Sequence, residues 1–206
     1  LQEATIAIED KNFYNHPGFD LQGIARAILA NFKKEGLQGG STITQQLIRA
    51  AFLSPEPKIS RKIKEIVLAF WAERVYTKDQ ILELYFNYVP YGGTAWGAAA
   101  ASEIYFGKKV SELDLAESAF LAGLPRAPSI YSPFSGDSDV WKKRQKEVLE
   151  AMARLNYITS QESEKAYKKD LLFRSPQIPL YAPHFVMHIR DLLISQYGLS
   201  EVERGG

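Results

Sequence analysis

Apolar positions recur with the helical period along nearly the whole chain. After Asp20, a helix N-cap candidate, Leu21, Ile24, Ala25, Ile28, Leu29 and Phe32 fall at the i, i+3, i+4, i+7 spacing of one buried helix face. Lys33-Lys34-Glu35-Gly36 and Gly39-Gly40 then read as a polar, glycine-rich loop. The next helix opens at Ser41-Thr42, with Thr42 and Gln45 at capping-box spacing and Ile43, Leu47 and Ala51 on one face. Ser54-Pro55-Glu56-Pro57 ends it. Ser60 is predicted to cap a third helix, with Ile63, Ile66, Val67, Phe70 and Trp71 as its buried stripe. Thr77 and Gln80 repeat the capping-box spacing before Ile81, Leu84, Tyr85 and Phe86, and Pro90 and Tyr91-Gly92-Gly93 make a stop and a turn. A small-residue helix follows from Ala95 to Phe106, ended by Gly107, and another runs from Asp114 to Gly123. Pro125 to Gly136 reads as an ordered loop, helices recur at 140–155, 160–169 and 184–197, and Leu171 to Pro183 reads as extended. Nothing supports a sizeable β-sheet, so the fold class is mainly α.

The first apolar run, Ala4-Thr5-Ile6-Ala7-Ile8, leads directly into polar chemistry: Glu9 and Asp10, then Phe13, Tyr14, His16 and the turn Pro17-Gly18. A buried segment that delivers Glu9 into a cleft would raise its pKa by desolvation, which suits a general base or acid. The alternative is a Glu-Asp pair capping a solvated turn.

With 206 residues, one domain or one large and one small lobe is expected. A net charge of +1 gives no case for a nucleic-acid partner. The absence of cysteine excludes disulfides and thiolate metal sites. His184 and His188 can share a helix face, but no third ligand pattern accompanies them. No apolar run approaches the ~20 residues that span a bilayer, and no signal-peptide pattern is present. The chain starts at Leu1 rather than Met, which reads as a piece of a longer chain, and a membrane anchor could lie outside it.

Two stretches carry binding chemistry. Gly39-Gly40 before a Ser/Thr-capped helix is an anion-binding arrangement, since free N–H groups and the positive dipole end converge there. The alternative is an ordinary capped helix, but Ser41, Thr42, Thr44, Gln45 and Gln46 exceed what capping needs. Lys58, Arg61, Lys62 and Lys64 gather with Glu65 at a helix head. They form either surface pairs one turn apart or a diphosphate site in which Glu65 orients a cation. The run Lys142-Lys143-Arg144-Lys146 reads as a solvated helix face. Glu83 and Asn87, four apart, could face one partner, and Glu83 reads as a buried tie between helices. Ala116 to Pro128 reads as a packing helix followed by a rigid turn.

In order along the chain stand Ile8-Glu9-Asp10 with Phe13 and His16; Gly39 to Gln46; Arg61-Lys62 with Glu65; Ile81 to Tyr85 with Asn87; and Ala119 to Pro128. This series resembles the five-motif pattern of the bacterial peptidoglycan glycosyltransferases, the polymerising domains of class A penicillin-binding proteins and their monofunctional relatives. It spans Ile8 to about Pro133, and Gly-Gly-Ser-Thr-Ile-Thr-Gln-Gln is its most specific part. The resemblance implies a lysozyme-like fold, with a large head lobe and a small membrane-proximal jaw lobe over roughly residues 21–57. Phe32, Leu37, Phe52 and Leu53 are the apolar candidates of that lobe for membrane contact, or else core. The resemblance also implies lipid II and the growing glycan strand as substrates, and work at the outer face of the cytoplasmic membrane. It further implies an amino-terminal anchor and often a transpeptidase domain, both outside this chain. Two departures are minor: Arg49 where relatives carry a basic residue of either kind, and Pro17 inside the first motif.

Together these readings make Glu9 the general base and Glu65 a second catalytic carboxylate that orients cations. Arg49, Arg61 and Lys62 would neutralise a departing diphosphate. Ser41, Thr42, Gln45 and Gln46 would bind the sugar-diphosphate region, with Asp10 and Asn87 as further binding candidates. No cofactor is required, and a divalent cation such as Mg could assist. Two rivals remain at this point: a lysozyme-like glycan hydrolase, which needs no diphosphate site, and a non-catalytic glycan- or lipid-binding module.

Overall fold

Small apolar residues decide how the first helix packs. The computed structural model describes residues 1–20, 23, 40–53, 59–134, 138–174, 183–198 and 202. Among them the helices are α1 (Gln2–Glu9), α2 (Ile43–Phe52), α3 (Ile59–Val75), α4 (Lys78–Tyr88), α5 (Gly97–Phe106), α6 (Leu115–Gly123), the single turn α7 (Pro128–Tyr131), α8 (Ser138–Arg154), α9 (Ser160–Lys168) and α10 (Pro183–Tyr197). The chain divides into two units, Leu1–Arg174 and Ser175–Gly206, and α10 belongs to the second. The described residues are thus mainly α, with one isolated bridge between Pro90 and Trp96.

α1 is buried on two sides. Ala4 and Ala7 lie in one cluster with Ala116, Ala119 and Ala122 of α6 and Val148, Leu149 and Met152 of α8. Ile6 belongs to a second cluster with Phe13, Ile43 and Leu47 of α2, and Ile81, Leu82 and Tyr85 of α4. Methyl side chains on α1 and α6 let these helices approach closely, and the Leu and Ile side chains fill the other side. Each fully buried Ile or Leu contributes roughly 1.5–3 kcal/mol. A short helix held from both sides presents its last residue, Glu9, from a fixed platform.

The expected caps hold α2 and α4, and α6, expected to begin at Asp114, has a cap of the same kind. Thr42 with Gln45, Thr77 with Gln80, and Asp114 with Glu117 each form a reciprocal capping box. Gly107 ends α5 in the left-handed conformation, φ +65°.

Four expectations are corrected. α3 begins at Ile59, so Ser60 lies within it rather than capping it. Its expected apolar stripe turns outward only in part: Ile63, Val67 and Trp71 are 58%, 48% and 60% exposed, Ile66 and Phe70 are half-buried, and the fully buried residues are Glu65 and Ala69. The inward line is set by polar partners for Glu65 and by the close approach of Gly18 to the Ala69 backbone. Glu83 is exposed, because its position on α4 faces away from the buried Ile81, Leu82 and Tyr85. The basic run on α8 is not uniformly solvated, since Arg144 is buried. The loop from Pro125 contains the turn α7. The helix expected after Asp20 and most of the expected jaw lie outside the described residues, which include only Gly23 and 40–53 of that lobe.

Candidate active site

Glu9 ends α1 with its side chain 8% exposed and both carboxylate oxygens engaged. Oε1 accepts from Arg144 at 3.0 Å, and Oε2 accepts from the Gln46 amide at 2.8 Å. The Tyr85 hydroxyl donates to Gln46 Oε1 at 3.3 Å, which sets the orientation of that amide. The buried segment delivers Glu9 as expected, and a guanidinium faces it, because a carboxylate removed from water requires a counter-charge. Burial pushes the Tyr85 phenol well above its ordinary value, and the nearby Glu9 carboxylate adds to that. Burial and Glu9 also push the Tyr91 phenol upward. Both stay neutral hydroxyls beside the carboxylate.

Asp10 points the other way. Both its oxygens lie 2.9 Å from His16 Nε2, and Oδ2 also accepts the Ile43 N–H at 3.0 Å. His16 Nδ1 accepts the Gly18 N–H at 3.2 Å, so Nε2 carries the proton that Asp10 receives. The Thr42 hydroxyl donates to the Gly18 carbonyl at 2.7 Å. These bonds clamp the turn after α1 to the start of α2. Asp10 and Thr42, expected to bind substrate, are engaged in these bonds, and both also line a small cavity beside Glu9.

A second knot forms around Glu65, whose side chain is 1% exposed. Lys62 donates to Glu65 at 3.0 Å, to Ser41 Oγ at 2.8 Å and to Gln45 Oε1 at 3.2 Å. Arg61 Nε lies 3.4 Å from the other Glu65 oxygen. Glu65 lines neither of the two small cavities beside Glu9, and Lys62 links it to Ser41, which lines both. The surface-pair reading of Arg61 and Glu65 is excluded by that burial.

Two small cavities adjoin Glu9. One, of about 130 Å³, is bounded by Glu9, Lys11 and Ser41. The other, of about 140 Å³, is lined by Ile8, Glu9, Ser41, Gln46, Arg49 and Arg126. Ser41 lines both and reaches Lys62, so it joins the two knots. Glu9, Ser41, Gln46, Arg49 and Lys62 are thus brought together. Gln45 is fully buried behind them, its Oε1 bonded to Lys62 and its Nε2 without a partner among the described residues. Thr44 instead ties α2 to Glu73 of α3. Asn87 is exposed, donates to its own helix at the Glu83 carbonyl, and lines a separate groove with Leu1, Gln2 and Phe86.

Sequence reasoning missed Arg144 and Arg126. Arg144 occupies the position four before Val148, on the buried line of α8, and that register was the available signal. Arg126 sits in the turn read as purely structural.

A model of the transglycosylase family matches residues 1–153 of the chain. The chain is 44% identical to penicillin-binding protein 1A of Escherichia coli (strain K12) over 209 residues, covering all of this chain and 24% of that protein. It is 41% identical to penicillin-binding protein 1A of Rickettsia typhi, covering all of this chain and 27% of that protein. It therefore spans about a quarter of the length of these relatives. The crystal structure of penicillin-binding protein 1A from Haemophilus influenzae is similar with a TM-score of 0.50 and 27% identity, over 76% of this chain and 20% of that one. The fold is thus of the lysozyme-like, mainly helical class. On a family match that takes in Glu9, both knots and Arg144, the chain belongs to the transglycosylase family, as a peptidoglycan glycosyltransferase domain of the class A penicillin-binding protein type.

Proposed function

We propose that the chain polymerises lipid II, with Glu9 as general base. Glu9 takes the proton from the 4-hydroxyl of the acceptor's N-acetylglucosamine. That oxygen attacks the anomeric carbon of the donor's N-acetylmuramic acid, and undecaprenyl diphosphate leaves. Attack opposite an α-linked leaving group gives a β-1,4 bond with inversion. A glutamate of ordinary pKa ~4.3 is a weak base toward a sugar hydroxyl. Proton transfer is therefore concerted with bond formation, and positioning supplies much of the rate.

The observation that carries this reading is the shared cavity of Glu9 with Arg49 and Arg126. A base and two cations on one small cavity suit a reaction that removes a proton on one side and releases an anion on the other. A neutral glycan offers these cations nothing to bind, which disfavours the hydrolase. Arg61 and Lys62, oriented by Glu65, extend the cationic side toward Ser41. Among the described residues no three His, Asp or Glu side chains converge as metal ligands. A divalent ion such as Mg, if used, would enter on the diphosphate oxygens.

The site would work at the outer face of the cytoplasmic membrane, held by an anchor elsewhere in a longer protein that also carries a transpeptidase domain. Among the described residues no helix is long and apolar enough to cross a membrane. Exposed Phe52, Ile59, Ile63 and Trp71 on α2 and α3 support contact with a lipid surface. Of the other apolar candidates of the jaw, Leu53 is half-buried, and Phe32 and Leu37 lie outside the described residues.

The test incubates the protein and its Glu9→Gln variant with lipid II and, separately, with finished glycan polymer. Strands from lipid II with the wild type and none with the variant are expected. Fragments from finished polymer, or undiminished turnover by Glu9→Gln, would overturn the reading.

A further inference from the structure

Arg144 is the only residue of its basic run to be buried: its side chain is 4% exposed, while that of Lys146 is 55% exposed. The buried guanidinium is fixed by several partners. Nε donates to the Gly123 carbonyl at 3.3 Å, one terminal nitrogen donates to Glu147 at 2.8 Å, and the other donates to Glu9 at 3.0 Å. The group also lies over the Tyr131 ring, 5.5 Å from its centroid. A second feature makes room for it. A Cβ built on Gly123 would lie 2.9 Å from Arg144 Cγ. Gly123 is the last residue of α6, and its bare position lets Arg144 pass the end of α6 to reach Glu9.

We propose that Arg144 is the positioning residue of the general base, fixing the Glu9 carboxylate and supplying its counter-charge through a path opened by Gly123. This rests on the reading of Glu9 as base. The sharing of Arg144 fits a group whose charge changes during the cycle. When Glu9 accepts the acceptor's proton it becomes neutral, and a buried arginine with no other anion would be left unpaired. Glu147, 59% exposed, remains its partner in that state. Gln46 holds the second Glu9 oxygen meanwhile. The carboxylate therefore keeps one orientation through both protonation states.

The experiment compares wild type, Glu9→Gln, Arg144→Gln, Arg144→Lys, Gly123→Ala and the double variant Gly123→Ala/Arg144→Gln. Lipid II polymerisation is measured at several substrate concentrations, with thermal midpoints recorded alongside. Loss of orientation costs on the order of 100-fold in kcat, since a displacement of about 1 Å costs that much. Arg144→Gln is expected to lose that factor with KM within about twofold, and Arg144→Lys to recover part of it. Gly123 lines neither small cavity beside Glu9, yet Gly123→Ala should lower kcat about 10-fold or more by displacing Arg144, and should add little in the Arg144→Gln background. Normal kcat in Arg144→Gln, a loss matching only the unfolded fraction, or additive effects of the two substitutions would overturn the proposal. If the wild type makes no strands, or Glu9→Gln makes them normally, the underlying reading of Glu9 fails instead.

Discussion

Asp10 and Ile43 stand 33 residues apart, and the carboxylate of the first accepts the backbone N–H of the second at 3.0 Å. That N–H is the first of α2, one of the donors a helix leaves unpaired. Asp10 therefore caps a helix from outside it while also holding His16. Replacing it by alanine leaves a buried N–H and a buried imidazole N–H without partners. Asp10→Ala is expected to lose about 2–4 kcal/mol of stability. Urea unfolding should show a lowered midpoint with an unchanged slope. An unchanged midpoint would show that the clamp does not hold the first motif to α2.

Glu65 and Lys62 are coupled by burial rather than by proximity alone. Glu65→Gln removes the charge that holds Lys62 toward Ser41 and that also faces Arg61. A loss of roughly 100-fold in kcat/KM for lipid II is expected, from the displacement of both cations. Lys62→Ala in the same chain should then cost much less than it does alone, with a coupling of about 1–3 kcal/mol. Independent effects would mean that Glu65 does not act through Lys62.

What the sequence revealed divides along a physical line. Caps are local, so Thr42 with Gln45, Thr77 with Gln80 and Asp114 could be read from a few neighbouring residues. Helix existence was equally legible from period for α2 to α6 and α8 to α10, but not for α1, which read only as a buried apolar segment, nor for the single turn α7. The inward face of α3 was not, because its buried line is Glu65 and Ala69, a carboxylate and a methyl that no apolar stripe marks. Arg144 was hidden for the related reason that lysines surround it. Its register with Val148 and Met152 on α8 would have exposed it, had charge not been taken as a sign of solvent. The Glu9 to Arg144 contact, across 135 residues, depends on how α1, α6 and α8 pack. No local pattern encodes it.

Asp114 gives a pH dependence that can be worked through. Burial pushes its carboxyl up, but bonds from Lys169 and from the Glu117 and Ala116 N–H groups outweigh this and hold it below the usual range. A lowered folded value means that its contribution is present above the unfolded value of ~3.9 and is lost as pH falls through the folded one. Asp114→Ala should cost about 1 kcal/mol at neutral pH through the lost cap of α6. The difference from wild type should shrink as pH falls below about 4. Thermal midpoints at pH 7 and pH 3 check this, and a gap that widens in acid would reverse the assignment.

Gly18 bears most directly on how the first motif keeps its shape. Its φ is +89°, and a Cβ there would lie 2.6 Å from the Ala69 carbonyl oxygen and 2.7 Å from its carbon. Those atoms are helix backbone, so the neighbour cannot turn aside as a side chain would. The residue also donates to His16 and accepts from Thr42, so any shift passes into the clamp that holds Asp10. Gly93 supplies the control: it has φ +55°, with nothing within 4 Å of the same virtual atom. Gly93→Ala should cost only the left-handed conformation, about 1–2 kcal/mol. Gly18→Ala should cost that and the collision, and should lower the thermal midpoint several degrees further, at about 2–4 °C per kcal/mol for a chain of this size. Strand synthesis should fall in Gly18→Ala at temperatures where it is still folded, because Glu9 precedes the displaced turn, and should be untouched in Gly93→Ala. Equal midpoints and equal activities for the two variants would show that the close contact between Gly18 and α3 does not hold the turn in place.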